Sequence, residues 1–120
     1  MKAKSKRLFF IIFTQALLLT ACSTKYYSTE LNNNNHLHKY KIRYFKDVSK
    51  ADVESIINIV RKTGYPQPIY AIFRVNKIYV IQLVDEVESL KKHTGLSGTE
   101  LKIIKNNEGW EILENGIWIQ

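Results

Sequence analysis

Residues 69–84 (IYAIFRVNKIYVIQLV) constrain the fold most, because they follow the strand period and are apolar in both phases. With a tight turn at Asn76-Lys77, Ile69, Ala71, Phe73 and Val75 share one face with Ile78, Val80 and Val84. Tyr70, Ile72, Tyr79, Ile81 and Leu83 take the other. Asn tolerates the left-handed backbone that such a turn needs. A hairpin apolar on both sides cannot stand bare in water. One face must meet a helix, and the other needs a second layer, a curled sheet or a partner.

The cover lies upstream. Val53, Ile56, Ile57 and Val60 recur at the spacing of one helical stripe. Ser49 is placed to cap that helix, Asp52 completes a capping box, and Val48 with Val53 forms the flanking staple. Arg61 and Lys62 suit its carbonyl end, Gly64 suits a left-handed stop, and Pro66 and Pro68 forbid continuation. Before it, residues 38–46 (HKYKIRYFK) alternate as a half-buried strand, with Tyr40, Ile42 and Tyr44 opposite Lys39, Lys41 and Arg43. After the hairpin comes a polar excursion, 85–99, with a short helical turn expected at 87–92. Strands resume at 101–105 and 110–114, and Asn115-Gly116 is a strong hairpin signal before a short last strand, 117–120. The expected fold is α+β: one N-terminal strand and one amphipathic helix packed on a curved antiparallel sheet of four to six strands, in the order β-α-β-β-β-β. Over residues 38–120 this order resembles the cystatin-like and nuclear-transport-factor-2-like architectures, in topology alone. Such shells host enzymes, inhibitors and scaffolds, so no activity follows from the likeness.

The chain has 120 residues, enough for one domain, and a formal net charge of +7. The excess is concentrated at the start. Lys2, Lys4, Lys6 and Arg7 precede the first apolar run and residues 1–21 contain no acid, leaving 14 basic and 11 acidic residues in 22–120. That is not the electrostatic footprint of a nucleic-acid binder. The apolar run 8–19 (LFFIIFTQALLL) would span about 18 Å as a helix, against roughly 30 Å of bilayer hydrocarbon. A secretory signal fits it better than a membrane span. Leu19-Thr20-Ala21-Cys22 then resembles the lipobox of bacterial lipoproteins, over residues 1–22 only. The resemblance implies cleavage before Cys22, a diacylglycerol on its thiol and a palmitate-class chain on the new amino end. Two or three acyl chains hold stably where one holds marginally. It further implies that Ser23, with no Asp after the Cys, directs the protein to the outer membrane, facing the periplasm, in a bacterium with two membranes. Cys22 is the only cysteine, so no disulfide staples the domain. Residues 22–37 read as the lipidated Cys and a flexible tether, because Asn32 to Asn35 are low in complexity and no period is evident. Tyr26 and Tyr27 are placed to rest at lipid headgroups or in solvent. The domain proper is then 38–120.

Catalytic signals are sparse. His36 and His38 point the same way on a strand, the minimum for a metal pair, with no third ligand nearby. Asp85, Glu86 and Glu88 crowd three carboxylates, and Lys91 and Lys92 lie within reach to neutralise them. His93 reads as a loop residue. No catalytic set, metal or cofactor motif emerges, so no enzyme is expected. The candidate binding face is aromatic: Tyr70, Arg74, Tyr79, Trp110 and Trp118, residue types that dominate interaction hot spots. If Asn115-Gly116 turns the chain, Trp118 faces Leu113 and Trp110 shares the face of Ile112. The expected role is a lipid-anchored envelope protein with a small non-catalytic binding domain, its partner a protein or another envelope component. The alternative is an inhibitor or immunity protein that neutralises a toxin or hydrolase. An enzyme would need His93 or the 85–88 acids in a concave pocket.

Overall fold

The computed structural model describes residues 24–33, 36–91 and 95–120. The chain forms β1 (Lys25–Asn33), β2 (His36–Tyr44), α1 (Lys50–Lys62), β3 (Ile69–Val75), β4 (Ile78–Val84), a single 3-10 turn (Val87–Lys91), β5 (Ser97–Asn106) and β6 (Gly109–Ile119). The six strands make one open sheet in sequence order. All neighbours are antiparallel except β2 and β3, which run parallel. A parallel pair needs a crossover, and α1 provides it. The fold is α+β, with one helix on a mixed, mostly antiparallel sheet.

Two strands precede the helix, not one. Residues 25–33, expected as tether, form β1 and pair with β2 from Lys25 opposite Tyr44 to Asn33 opposite His36. Tyr27, Thr29 and Leu31 are half-buried while Tyr26, Ser28, Glu30 and Asn32 are exposed. This alternation is real but is carried by weakly apolar residues at a sheet edge. The register leaves only residues 34 and 35, outside the described residues, to join the strands. Among the described residues the first strand therefore begins at Lys25, and the sheet includes residues ahead of His38.

The central hairpin turns at Asn76, whose φ of 57° is the left-handed value expected of it. A bulge between Ile69 and Ala71 alters its faces. The extra residue reverses the alternation, so Ile69 joins Ile72, Tyr79, Ile81 and Leu83 under the helix, and Tyr70 is turned to the opposite face. Val53, Ile56 and Val60 of α1 complete this core with Ile42 and Tyr44 of β2 and Leu101 and Ile103 of β5. The core is aliphatic apart from Tyr44 and Tyr79, and none of Ile42, Val53, Ile56, Val60, Ile69 or Ile81 exposes any surface.

At one end α1 keeps the Ser49 half of the expected capping box, while the Asp52 carboxylate turns to Tyr79 and Lys105 on the sheet; the other end is closed more elaborately. Ser49 Oγ accepts the backbone N–H of Asp52 at 3.1 Å, and Val48 and Val53 are both buried. Gly64, at φ 102°, ends the helix. Arg61 does more than complement the helix dipole. Its guanidinium donates to the carbonyls of Tyr65 and Gln67 and to Tyr40 Oη, which also accepts the N–H of Ile69. One side chain thus ties the end of α1, strand β2 and the entry to β3.

The hairpin expected at Asn115-Gly116 does not form. β6 runs straight through both residues, which pair with Leu101 and Glu100 of β5. β5 starts at Ser97, and its first residues would lose their ladder if the chain turned at Asn115. Pairing over the whole strand overrides a local turn preference. A bulge near Lys102 and Ile103 makes room for the one extra β6 residue.

Candidate interaction surface

The five aromatic and cationic candidates do not form one face. The register divides them into two clusters on opposite sides of the sheet.

On the side of the helix, Tyr79 (β4) meets Trp110 (β6) edge to face, with ring centroids 5.0 Å apart. Arg74 lies over the Tyr79 ring at 5.2 Å and Lys105 over the Trp110 ring at 5.6 Å. Tyr79 Oη donates to Asp52 at 2.9 Å, and Lys105 Nζ is 3.6 Å from the other oxygen of the same carboxylate. Asp52 is thus engaged across to the sheet as well as offering its backbone N–H to the cap. Burial first, and the Asp52 carboxylate second, hold the Tyr79 phenol above its ordinary value of 10.0. Tyr79 is buried and acts as the platform, while Arg74 and Lys105 are exposed and Trp110 is half-buried. Beside Trp110, a shallow cleft of about 280 Å³ is lined by Ser55, Asn58, Ile59 and Lys62 of α1.

On the opposite side, Tyr70 and Trp118 stack at 5.5 Å with their planes 19° apart. Trp118 Nε1 donates to the Leu83 carbonyl at 2.7 Å, and the ring packs with Val84 and Leu96. Gly98 pairs with Trp118 and lies so close to β4 that an added Cβ would sit 1.9 Å from the Leu83 oxygen. Arg43 donates to Tyr70 Oη at 2.9 Å and covers its ring at 5.8 Å. Trp118 is buried, so this cluster serves as a second small core more than as an open surface.

The other sequence candidates fall elsewhere. Asp85, Glu86 and Glu88 line a cleft of about 410 Å³ with Leu31, Asn32, Pro66, Gln67 and Pro68. The acids are therefore in a concavity, as a catalytic reading requires, but among the described residues their neighbours there supply neither a nucleophile nor a base. Gln67 Oε1 is buried with no hydrogen-bond partner among the described residues. His36 and His38 lie side by side with ring centroids 6.4 Å apart. Among the described residues, no group of three or more His, Cys, Asp or Glu could hold a metal ion. Leu19, Thr20, Ala21, Cys22 and His93 lie outside the described residues, and no helix among those described is long and apolar enough to cross a membrane. Tyr26, half of the expected headgroup pair, is 53% exposed, while Tyr27 turns under the sheet and donates to Glu54 at 3.4 Å.

The sequence reading missed Arg43, Asp52 and Lys105 as members of these clusters. Arg43 and Lys105 read as the solvent phase of a strand, and Asp52 as a cap; strand register brings the two cations to aromatic rings, and packing of α1 on the sheet brings Asp52 to the Tyr79 hydroxyl. No family model matches the chain, and no curated protein or solved structure matches it either.

Proposed function

We propose that the chain is a lipid-anchored cell-envelope protein whose α+β domain binds a partner without catalysis. The observation that carries this reading is the distance from the lipobox-like LTAC to the sheet. Cys22 precedes the first strand residue, Lys25, by three positions, a reach of about 10 Å at most. A lipid on Cys22 holds the domain against the bilayer rather than out on a long tether.

The orientation follows from the register. β1 begins at the end of the sheet where β2 enters α1, where β3 turns into β4 and where β5 turns into β6. Lys25, Lys46, Lys50 and Lys77 lie at this end with Asp47, Glu108 and Glu111, while Arg74 and Lys105 lie within their strands over the rings on the helix side. Basic side chains close to an anionic surface each add about 1 kcal/mol of attraction, which supplements the acyl chains. The opposite end carries Asp85, Glu86 and Glu88 and faces away from the membrane.

The partner surface is the helix-side cluster, where Arg74 and Lys105 stand over Tyr79 and Trp110. It fits an acidic partner surface, since both exposed groups are cations pre-positioned on aromatic rings. Intact mass of the membrane-extracted protein tests the anchor: the expected species starts at Cys22 and carries three acyl chains, and a chain beginning elsewhere or unmodified refutes it. Crosslinking in isolated envelopes tests the surface. Arg74→Glu with Lys105→Glu should abolish recovery of a specific partner, and unchanged recovery rejects this surface.

A further inference from the structure

The edge strand β6 combines two exposed features at the same residues. Gln120 donates its backbone N–H to the Leu96 carbonyl, toward β5. Backbone groups alternate in direction along a strand, so Trp118 also points toward β5, while Ile117 and Ile119 turn their N–H and C=O groups to the outer edge. Among the described residues no strand pairs with that edge. The side chains of these two isoleucines are 82% and 81% exposed. An edge of this kind is a template for another strand, and proteins usually blunt it with Lys, Pro or a bulge. Residues 115–120 (NGIWIQ) contain no Lys, no Pro and no charge of either sign, and the β6 bulge lies before them.

We propose that β6 pairs with β6 of a second copy of this chain, antiparallel about a two-fold axis close to residue 117. The occupant is named by self-complementarity. A two-fold axis here places uncharged segments opposite one another, so no like charges face, and it gathers four isoleucine side chains on one face. With the axis at residue 117, the outward N–H and C=O of Ile117 pair with those of Ile117 in the second copy, those of Ile119 pair with those of Asn115, and the sheet continues across the axis as an isologous, closed dimer. The other edge strand, β1, begins with Lys25 and carries Glu30, so it has no matching uncharged run of this length.

The test uses the full chain in detergent micelles, sedimented over a concentration series to about 100 μM. Wild type is expected to be a dimer. Ile117→Pro removes only an outward N–H and leaves the β5 ladder intact, as proline is tolerated on that side of an edge strand. It should weaken association about tenfold or more with an unchanged circular-dichroism spectrum. Ile119→Lys, which keeps the backbone donor, should do the same by charge. A monomeric wild type overturns the pairing. A dimer insensitive to both substitutions overturns it too, since contact is then through another segment. Species larger than a dimer reject it in favour of head-to-tail pairing of β1 with β6.

Discussion

Tyr79 shows how one side chain joins the sheet to the helix. Its hydroxyl reaches Asp52 while its ring carries Arg74 and meets Trp110. Tyr79→Phe should cost about 1 kcal/mol in urea unfolding, the worth of one partly buried hydrogen bond. The pH dependence has a definite sign. The folded phenol keeps its proton above 10.0, where an unfolded tyrosine loses it. From pH 10 upward the unfolded state binds fewer protons, so stability is full below pH 10 and falls as pH rises through the folded value. The substitution should flatten that alkaline loss, and an unchanged slope would show that Tyr79 is not its source. Gly98 makes a different point. A methyl group there meets the Leu83 carbonyl, a backbone atom that cannot rotate away. Gly98→Ala should therefore destabilise by about 1–3 kcal/mol and disturb the Trp118 environment, visible in its fluorescence.

Among the elements, α1 was the most legible because its signals are local. Cap, stripe, staple and stop all lie within residues 48–68 and act on backbone a few positions away. Arg61 marks the limit of that reading. Near a helix C-terminus it looks like a dipole partner, yet it holds the Tyr65 and Gln67 carbonyls and Tyr40. Arg61→Lys should lose about 1–3 kcal/mol, measured by urea midpoint, because an ammonium cannot span three acceptors in a fixed plane. The sheet edges were the least legible. β1 hid behind an asparagine run that reads as low complexity, although two asparagines also suit a tight hairpin connection. At Asn115-Gly116 the opposite happened: a strong turn signal lies inside a strand. Both outcomes have one cause. An edge strand buries little, so its pattern is weak and its neighbour's hydrogen-bond ladder decides.

At the scale of the molecule, the lipid anchor proposed at Cys22 would constrain the position of the whole domain, because only two residues separate Cys22 from β1. Cys22→Ser should move the protein from the membrane to the soluble fraction if lipid is the main attachment. Retention at low salt that is lost at about 1 M salt would indicate that the basic end also holds the surface, since exposed charge attraction is screened over a few ångströms there. The candidate surface was half legible: its residue types were evident, but its membership was not. Tyr79, Arg74 and Trp110 come together, whereas the bulge in β3 sends Tyr70 to the other face and the extra residue in β6 sends Trp118 there too. Sequence by itself determined the α+β class, the helix and its ends, the central hairpin with its Asn76 turn, and the need to cover an apolar sheet, because these depend on side-chain period and on backbone preferences within a few residues. Only the tertiary structure decided the number of strands, the two bulges and which rings meet. Those are set by hydrogen bonds between residues far apart in the chain, and one inserted residue inverts every side chain beyond it.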